Sequence, residues 1–226
     1  MQGARVKTKL PSKTKRKLLS KQQIAAKWAA AAQPNYAIAT AKELGLAGTA
    51  RPRWETTGDY GHQWGSAIHE LLEICIKSPQ ANLRSSALTL AAEYEIGSDR
   101  VDELLTTVQS VVQSDIWKRA QAASRCFSEL PFETSFKDAS GKPTIIRGVI
   151  DLIFEEPEGW VIVDYKTDDV TEADLPAAVA YYRNQIDEYA QQWHDTTGYQ
   201  VAENGLYFIR VDSYCNSKSN WSLPAR

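Results

Sequence analysis

Apolar positions recur at helical spacing through the first half of the chain and change to strand-like runs after residue 126. Ser20 followed by Gln23 makes a capping-box pattern ahead of "IAAKWAAAA", and Pro34 ends the helix it predicts. The stretch "RPRWETTGDY", residues 51–60, is polar and reads as a loop. In "GHQWGSAIHELLEICIK" the spacing of Trp64, Ile68, Leu71, Leu72 and Cys75 puts them on one face, predicting an amphipathic helix. Residues 81–96 and 99–120 predict two more helices, interrupted by "GSD".

Beyond residue 126, "FSELPFETSF" and "TIIRGVIDLIF" read as strands, "EEPEG" as a turn, and "WVIVDYKT" as a third strand. A helix follows over "LPAAVAYYRNQIDEYAQQWHD", with Pro176 at its start and Gly198 after its end, and "ENGLYFIRV" is a last strand. Helices, three strands, a helix and a strand predict an α/β architecture with a mixed sheet. No internal repeat interrupts that order.

Composition adds bounds. With 226 residues, 43% of them hydrophobic and 24% charged, the chain can bury a sizeable core. It carries neither a membrane-length apolar run nor the apolar core of a signal peptide, and its three cysteines, Cys75, Cys126 and Cys215, are scattered and odd in number. A cytoplasmic protein without a membrane association is the expectation. The net charge of −2 conceals an asymmetry: residues 1–42 hold ten Lys or Arg and no acid, leaving 16 basic against 28 acidic residues, or −12, over 43–226. A basic arm on an acidic body suits a polyanionic partner gripped by the arm while carboxylates hold divalent cations; a solvated tail, or a transit-peptide-like leader, produces the same pattern.

One stretch does not suit a purely structural strand. In "VIVDYKTDD" Asp164 and Lys166 are two residues apart and share one face, while Tyr165 faces the other way. Asp151 sits among Val149, Ile150, Leu152 and Ile153 on the preceding strand, where an unpaired carboxylate is costly. Two carboxylates and an ammonium on neighbouring strands suit Mg²⁺, a hard ion that takes oxygen ligands, and a lysine beside it can orient a nucleophile or offset developing charge. An ordinary Asp-Lys ion pair at a strand end is the competing explanation, worth about 0–1 kcal/mol where exposed.

The wider pattern resembles the RecB-type branch of the PD-(D/E)XK nucleases, found at the C-terminus of AddA-like and RecB-like helicase-nucleases. The resemblance rests on "WGSAIHELLE" with Gly65 and His69, "ELPFE" with Glu129, "RGVIDLIF" with Gly148 and Asp151, "VIVDYKTD" with Asp164 and Lys166, and "QIDEYA" with Gln185 and Tyr189. It covers residues 51–210; residues 1–50 are expected to be a basic, linker-like arm and helix, with the nuclease domain at 51–226. The implied fold is a restriction-endonuclease-like core of helix, three strands, helix and strand, with extra N-terminal helices.

The resemblance implies roles for the matching residues. Asp151 and Asp164 hold the metal, with His69 and the Tyr165 backbone carbonyl as further ligands. Lys166 positions the attacking water, Glu129 supports the site, with Glu133 close enough to compete for that part, and Gln185 and Tyr189 orient the lysine or the nucleic acid. The implied activity is Mg²⁺-dependent (alternatively Mn²⁺-dependent) hydrolysis of phosphodiester bonds, exonucleolytic on single-stranded DNA ends, beside a helicase domain or subunit in break repair and recombination. Two departures narrow it. Some relatives carry an iron-sulfur cluster on four cysteines, for which three scattered ones do not suffice, so no cluster is expected. "ASGKPT" only imitates a phosphate-binding loop, because Pro143 follows Lys142 and Phe136 replaces the first glycine. The alternative is a non-catalytic nuclease-fold module that binds DNA or docks onto a helicase, and beyond it a plain interaction domain.

Overall fold

A computed structural model describes residues 20–32, 34–46, 52, 61–137 and 141–219. The loop at 51–60 lies, apart from Pro52, outside the described residues, as does the arm before Ser20. The chain divides into two compact units, Met1–Tyr36 and Ala37–Arg226. The first contains helix α1 (Lys21–Ala32), capped as its sequence predicts: Gln23 N donates to Ser20 Oγ and Ser20 N donates to Gln23 Oε1.

The second unit is α/β, with helices on both faces of a six-stranded mixed sheet. Its elements are β1 (Ala37–Thr40), α2 (Ala41–Gly45), α3 (His62–Lys77), α4 (Leu83–Glu93), α5 (Val101–Gln113), α6 (Asp115–Ala122), β2 (Cys126–Lys137), β3 (Pro143–Glu156), β4 (Gly159–Lys166), α7 (Leu175–Thr197), β5 (Val201–Phe208) and β6 (Ser213–Asn216). Two departures from the sequence pattern stand out. The helix predicted over 99–120 is split by Ser114, which leaves helical geometry and caps α6 by accepting from Trp117 N. β6 follows the predicted last strand after a 3₁₀ turn. The compact unit begins at Ala37, where β1 joins the sheet and Ala41 is fully buried in its core.

Strand order is β1-β3-β4-β5-β6, with β2 also on β3. β2 runs antiparallel to β3 from Cys126↔Phe154 to Lys137↔Pro143, and so occupies one edge of β3 throughout. Pro131, unable to donate to a ladder, is tolerated because β2 has no second neighbour among the described residues. The other edge of β3 is shared. Its C-terminal half pairs with β4 (Leu152↔Val163 to Glu156↔Gly159) across the two-residue turn Pro157-Glu158, while its N-terminal half pairs in parallel with β1 (Ala37↔Thr144 to Thr40↔Arg147). β4 and β5 are parallel, joined by α7.

One core lies between the sheet and α3–α6, where Trp64, Ile68, Leu71, Leu104, Val108 and Trp117 pack on Leu152, Val161, Val163 and Tyr165. The other lies beneath α7, where Tyr182, Ile186 and Tyr189 meet Ile150, Ile153, Ile162, Leu206 and Phe208. Pro176 starts α7 and Gly198 ends it in the left-handed region (φ 73°). No helix among the described residues is long and apolar enough to cross a membrane.

Candidate active site

β3 changes its facing at Asp151. Ile150 belongs to the core under α7, yet Leu152, two residues on, belongs to the opposite core. A regular strand would keep both on one side. The ladders record the same break: the β3–β4 pairing stops at Leu152↔Val163, and the β2–β3 ladder skips the position where Glu129 would face Asp151, although its register continues on either side. β3 and β4 therefore part at Asp151 and Asp164. In place of the next ladder bond, Tyr165 N donates to Asp151 Oδ2 at 2.7 Å. Glu129 takes φ 47°, a left-handed backbone that costs a non-glycine residue roughly 1–3 kcal/mol.

This fork gathers the polar groups. His69, on the α3 face toward the sheet, has Nδ1 at 3.2 Å from Glu129 Oε1 and 3.6 Å from Asp151 Oδ1. Ligand atoms of His69, Glu129 and Asp151 lie within 4.8 Å of one another, close enough to share a metal ion. Asp164, 3% exposed, lies on the α7 side with Lys166: its Oδ2 is 2.6 Å from Lys166 Nζ, and its Oδ1 accepts from Gln185 Nε2 at 3.4 Å. Lys166 Nζ also donates to Gln185 Oε1 at 3.0 Å and sits 4.0 Å from the centre of the Tyr182 ring. Gln185 Nε2 donates to Tyr189 Oη at 3.0 Å.

Electrostatics follow from burial. Loss of water pushes the Asp151 carboxyl up to about 7; the neighbouring His69 opposes this, and Asp164 and Glu129 reinforce it. Burial opposes the His69 charge, but the Asp151 carboxylate and the Glu129 hydrogen bond outweigh it and raise His69 to about 9. At neutral pH a proton on His69 thus stands among the carboxylates. The fit of a divalent cation rests on the donor set: the imidazole of His69 and the carboxylates of Glu129 and Asp151 meet within 4.8 Å, and Asp164, whose Oδ2 is paired with Lys166 at 2.6 Å, adds a third carboxylate beside them.

The structure brings all the residues singled out in sequence to this fork, in two subsets. His69, Glu129 and Asp151 form the compact group; Asp164, Lys166, Gln185 and Tyr189 form the adjoining one. Glu129, not its neighbour Glu133, faces the site, since Glu133 pairs with Arg147 in the open. The Tyr165 side chain points away from Asp164 and Lys166 to the α3 side, where its ring meets that of His69 edge-on at 5.9 Å and its hydroxyl is buried without a hydrogen-bond partner. Two residues were not singled out in sequence. Tyr182 lies three positions before Gln185 on α7, a spacing that places it on the same face. Thr167, just past β4, is met by α3 at Gly65, where a Cβ would come 2.8 Å from Thr167 Oγ1, so a side chain there would have to turn that hydroxyl aside. Beside Thr167 opens a cleft of about 260 Å³, walled by Trp64, Thr106, Thr107, Ser110 and Arg210.

The chain belongs to the PD-(D/E)XK nuclease superfamily: the model of that family matches residues 12–220. Its relatives include proteins named as subunits of an ATP-dependent helicase/nuclease. That of Carboxydothermus hydrogenoformans is 31% identical over 141 residues, covering 58% of this chain and 12% of the relative. That of Alkaliphilus metalliredigens is 38% identical over 109 residues, covering 44% and 9%, and that of Bacillus cereus strain Q1 is 27% identical over 180 residues, covering 70% and 14%. The chain thus matches about a tenth of the length of these relatives.

Proposed function

We propose that the chain is a divalent-cation-dependent deoxyribonuclease, the nuclease part of a helicase-nuclease, acting on single-stranded DNA ends in break repair and recombination. The observation that supports this most is the cluster of His69, Glu129 and Asp151, whose ligand atoms lie within 4.8 Å of one another, with the Asp164–Lys166 pair on the neighbouring strand. Asp151, Glu129 and His69 would hold the cation, with Asp164 and the Tyr165 carbonyl as further donors. Mg²⁺ suits the oxygen ligands, and Mn²⁺ suits the added imidazole. When bound, such an ion acidifies water and neutralises charge on a phosphate.

The remaining work falls to the chain's own side chains. Lys166, fixed by Gln185 Oε1 and Asp164, presents an ammonium to the reacting phosphate, where it orients the attacking water and offsets the charge that develops. Gln185 holds that lysine with one end of its amide and, through the other, ties it to Tyr189. The cleft beside Thr167 offers hydroxyls and an arginine to the strand next to the scissile bond. The helicase domain or subunit would deliver that strand, in cis or from another chain.

Purified protein on labelled single-stranded DNA, with Mg²⁺ or with EDTA, tests this reading beside Asp164→Ala and Lys166→Ala. Cleavage that needs the cation and falls by about 10²-fold or more in each variant is the expected result. DNA binding without cleavage would instead favour a non-catalytic module, and cleavage unaffected by EDTA would remove the cation from the account.

A further inference from the structure

Residues 37–46 carry none of the reacting groups, yet they fill the space that the parting strands leave. β1 takes the edge of β3 that β4 vacates, and α2 leads from it onto α7. The contact falls at Gly45, the last residue of α2. A Cβ built there would lie 2.5 Å from Gln185 Cα, 2.7 Å from Gln185 N and 3.0 Å from Gln185 Cβ. No side chain tolerates such distances to a helix backbone, so α2 and α7 meet main chain to main chain. Gly45 lies in ordinary helical geometry, and what the position demands is the absence of a side chain, not a special torsion. The N-terminal end of α2 is secured: Thr40 and Glu43 form a reciprocal capping box, and Ala41 is wholly buried in the core under α7.

The α7 residue touched here is the one whose amide holds Lys166 at 3.0 Å, with Asp164 and Tyr189 as its other partners. We infer that Gly45 is a positioning residue: by fixing how closely α2 seats against α7, it fixes Gln185, and through Gln185 the ammonium of Lys166. This rests on the nuclease reading for its catalytic consequence, though not for the geometry. Of the groups proposed to hold the cation, His69, Glu129 and Asp151 come from α3, β2 and β3 and lie outside this contact, while Asp164 is reached by it through Gln185 Nε2.

The test is a cycle in the full chain of Gly45→Ala, Gln185→Ala and both together, read in two ways. In the first, single-strand cleavage by Gly45→Ala at saturating cation falls about 10- to 100-fold in kcat, the scale of an ångström-sized misplacement. The double variant is then no worse than Gln185→Ala alone, because both changes act through one amide. In the second, modification of Lys166 by an amine-specific reagent, followed by mass spectrometry in EDTA, rises several-fold in Gly45→Ala and in Gln185→Ala over the wild type. Thr40→Ala, which loosens the α2 cap without adding an atom to the interface, raises it by a smaller factor and covers the case in which Gly45→Ala does not fold. Additive losses in the cycle, or Lys166 modification equal to wild type in the folded variants, would overturn the inference. A wild type that cleaves nothing would defeat the nuclease reading instead, and the labelling would still decide whether Gly45 positions Lys166.

Discussion

Asp151 replaces a missing ladder bond by accepting from Tyr165 N, and it faces His69 from within the core. Its folded-state pKa of about 7 lies above the ordinary 3.8, so the metal-free fold retains a proton that the unfolded chain has released, and stability declines as pH rises from about 4 through 7. His69, raised from 6.5 to about 9, acts in the same direction: its contribution is full below about 6.5 and is lost as pH rises through 9. A cation must displace both protons, so its stabilising effect grows over the same range. The difference in Tm between saturating Mg²⁺ or Mn²⁺ and EDTA should therefore widen from about pH 6 to about pH 9; a constant difference would remove these two residues from the cation site. Asp151→Asn removes a buried charge that the fold disfavours at pH 8. In EDTA its Tm should rise by about 2–4 °C, the equivalent of about 1 kcal/mol in a chain of this size, while the cation's stabilising effect disappears.

The elements that set the fork are held by two unlike devices. Gly148 of β3 lies under the Phe132 ring of β2, where a Cβ would come within 2.4 Å of ring carbons, and the same ring packs edge-on against Tyr189 at 5.7 Å. Gly148→Ala must move Phe132 and is expected to destabilise by about 1–3 kcal/mol, a loss largely absent when Phe132 is already alanine; denaturant unfolding of the four proteins measures it. At the other end of the sheet, Arg119 of α6 spans Glu156 of β3 and Glu203 of β5, and Glu203 also accepts from Tyr214 of β6. Glu203 is 3% exposed and would keep Tyr214 Oη and Lys218 Nζ, the latter at 3.3 Å, as partners, so Arg119→Ala should cost about 1–3 kcal/mol in denaturant unfolding. Sequence periodicity made α3, α7 and β2–β5 legible because each buries a stripe or a face. It did not separate α5 from α6, since the break depends on the local cap by Ser114 and the apolar spacing continues across it. β1 and α2 escaped for another reason: "AIATAKELG" is short and weakly apolar, and is stabilised by the edge that β4 leaves open, a tertiary circumstance. In the site, alternation on β4 was enough to pair Asp164 with Lys166. The grouping of Glu129 with His69 and Asp151 came from the resemblance and not from periodicity, because it depends on a left-handed backbone at Glu129 that a period of two does not contain.

Across the whole molecule the charge is divided, with ten basic residues and no acid over 1–42 and a net −12 beyond. The fork sets its carboxylates against the His69 and Lys166 cations, so without a metal it offers a phosphate backbone little net attraction, which must come from elsewhere on the chain. Residues 1–19 alone carry seven of the ten basic residues: Arg5, Lys7, Lys9, Lys13, Lys15, Arg16 and Lys17. If this segment grips the strand that the fork cuts, each phosphate it neutralises adds about 0.7 to the slope of log affinity against log salt for single-stranded DNA. Deleting residues 1–19 should then flatten that slope by about 2–5 and raise KM at low salt, with kcat at saturating DNA unchanged because no group of the fork is removed. Binding titrations across salt concentrations, with the Asp164→Ala background preventing cleavage, measure the slope directly. An unchanged slope would assign the arm to another partner and leave the cation in the fork as the main attraction for DNA, in which case affinity, and not turnover alone, would collapse in EDTA.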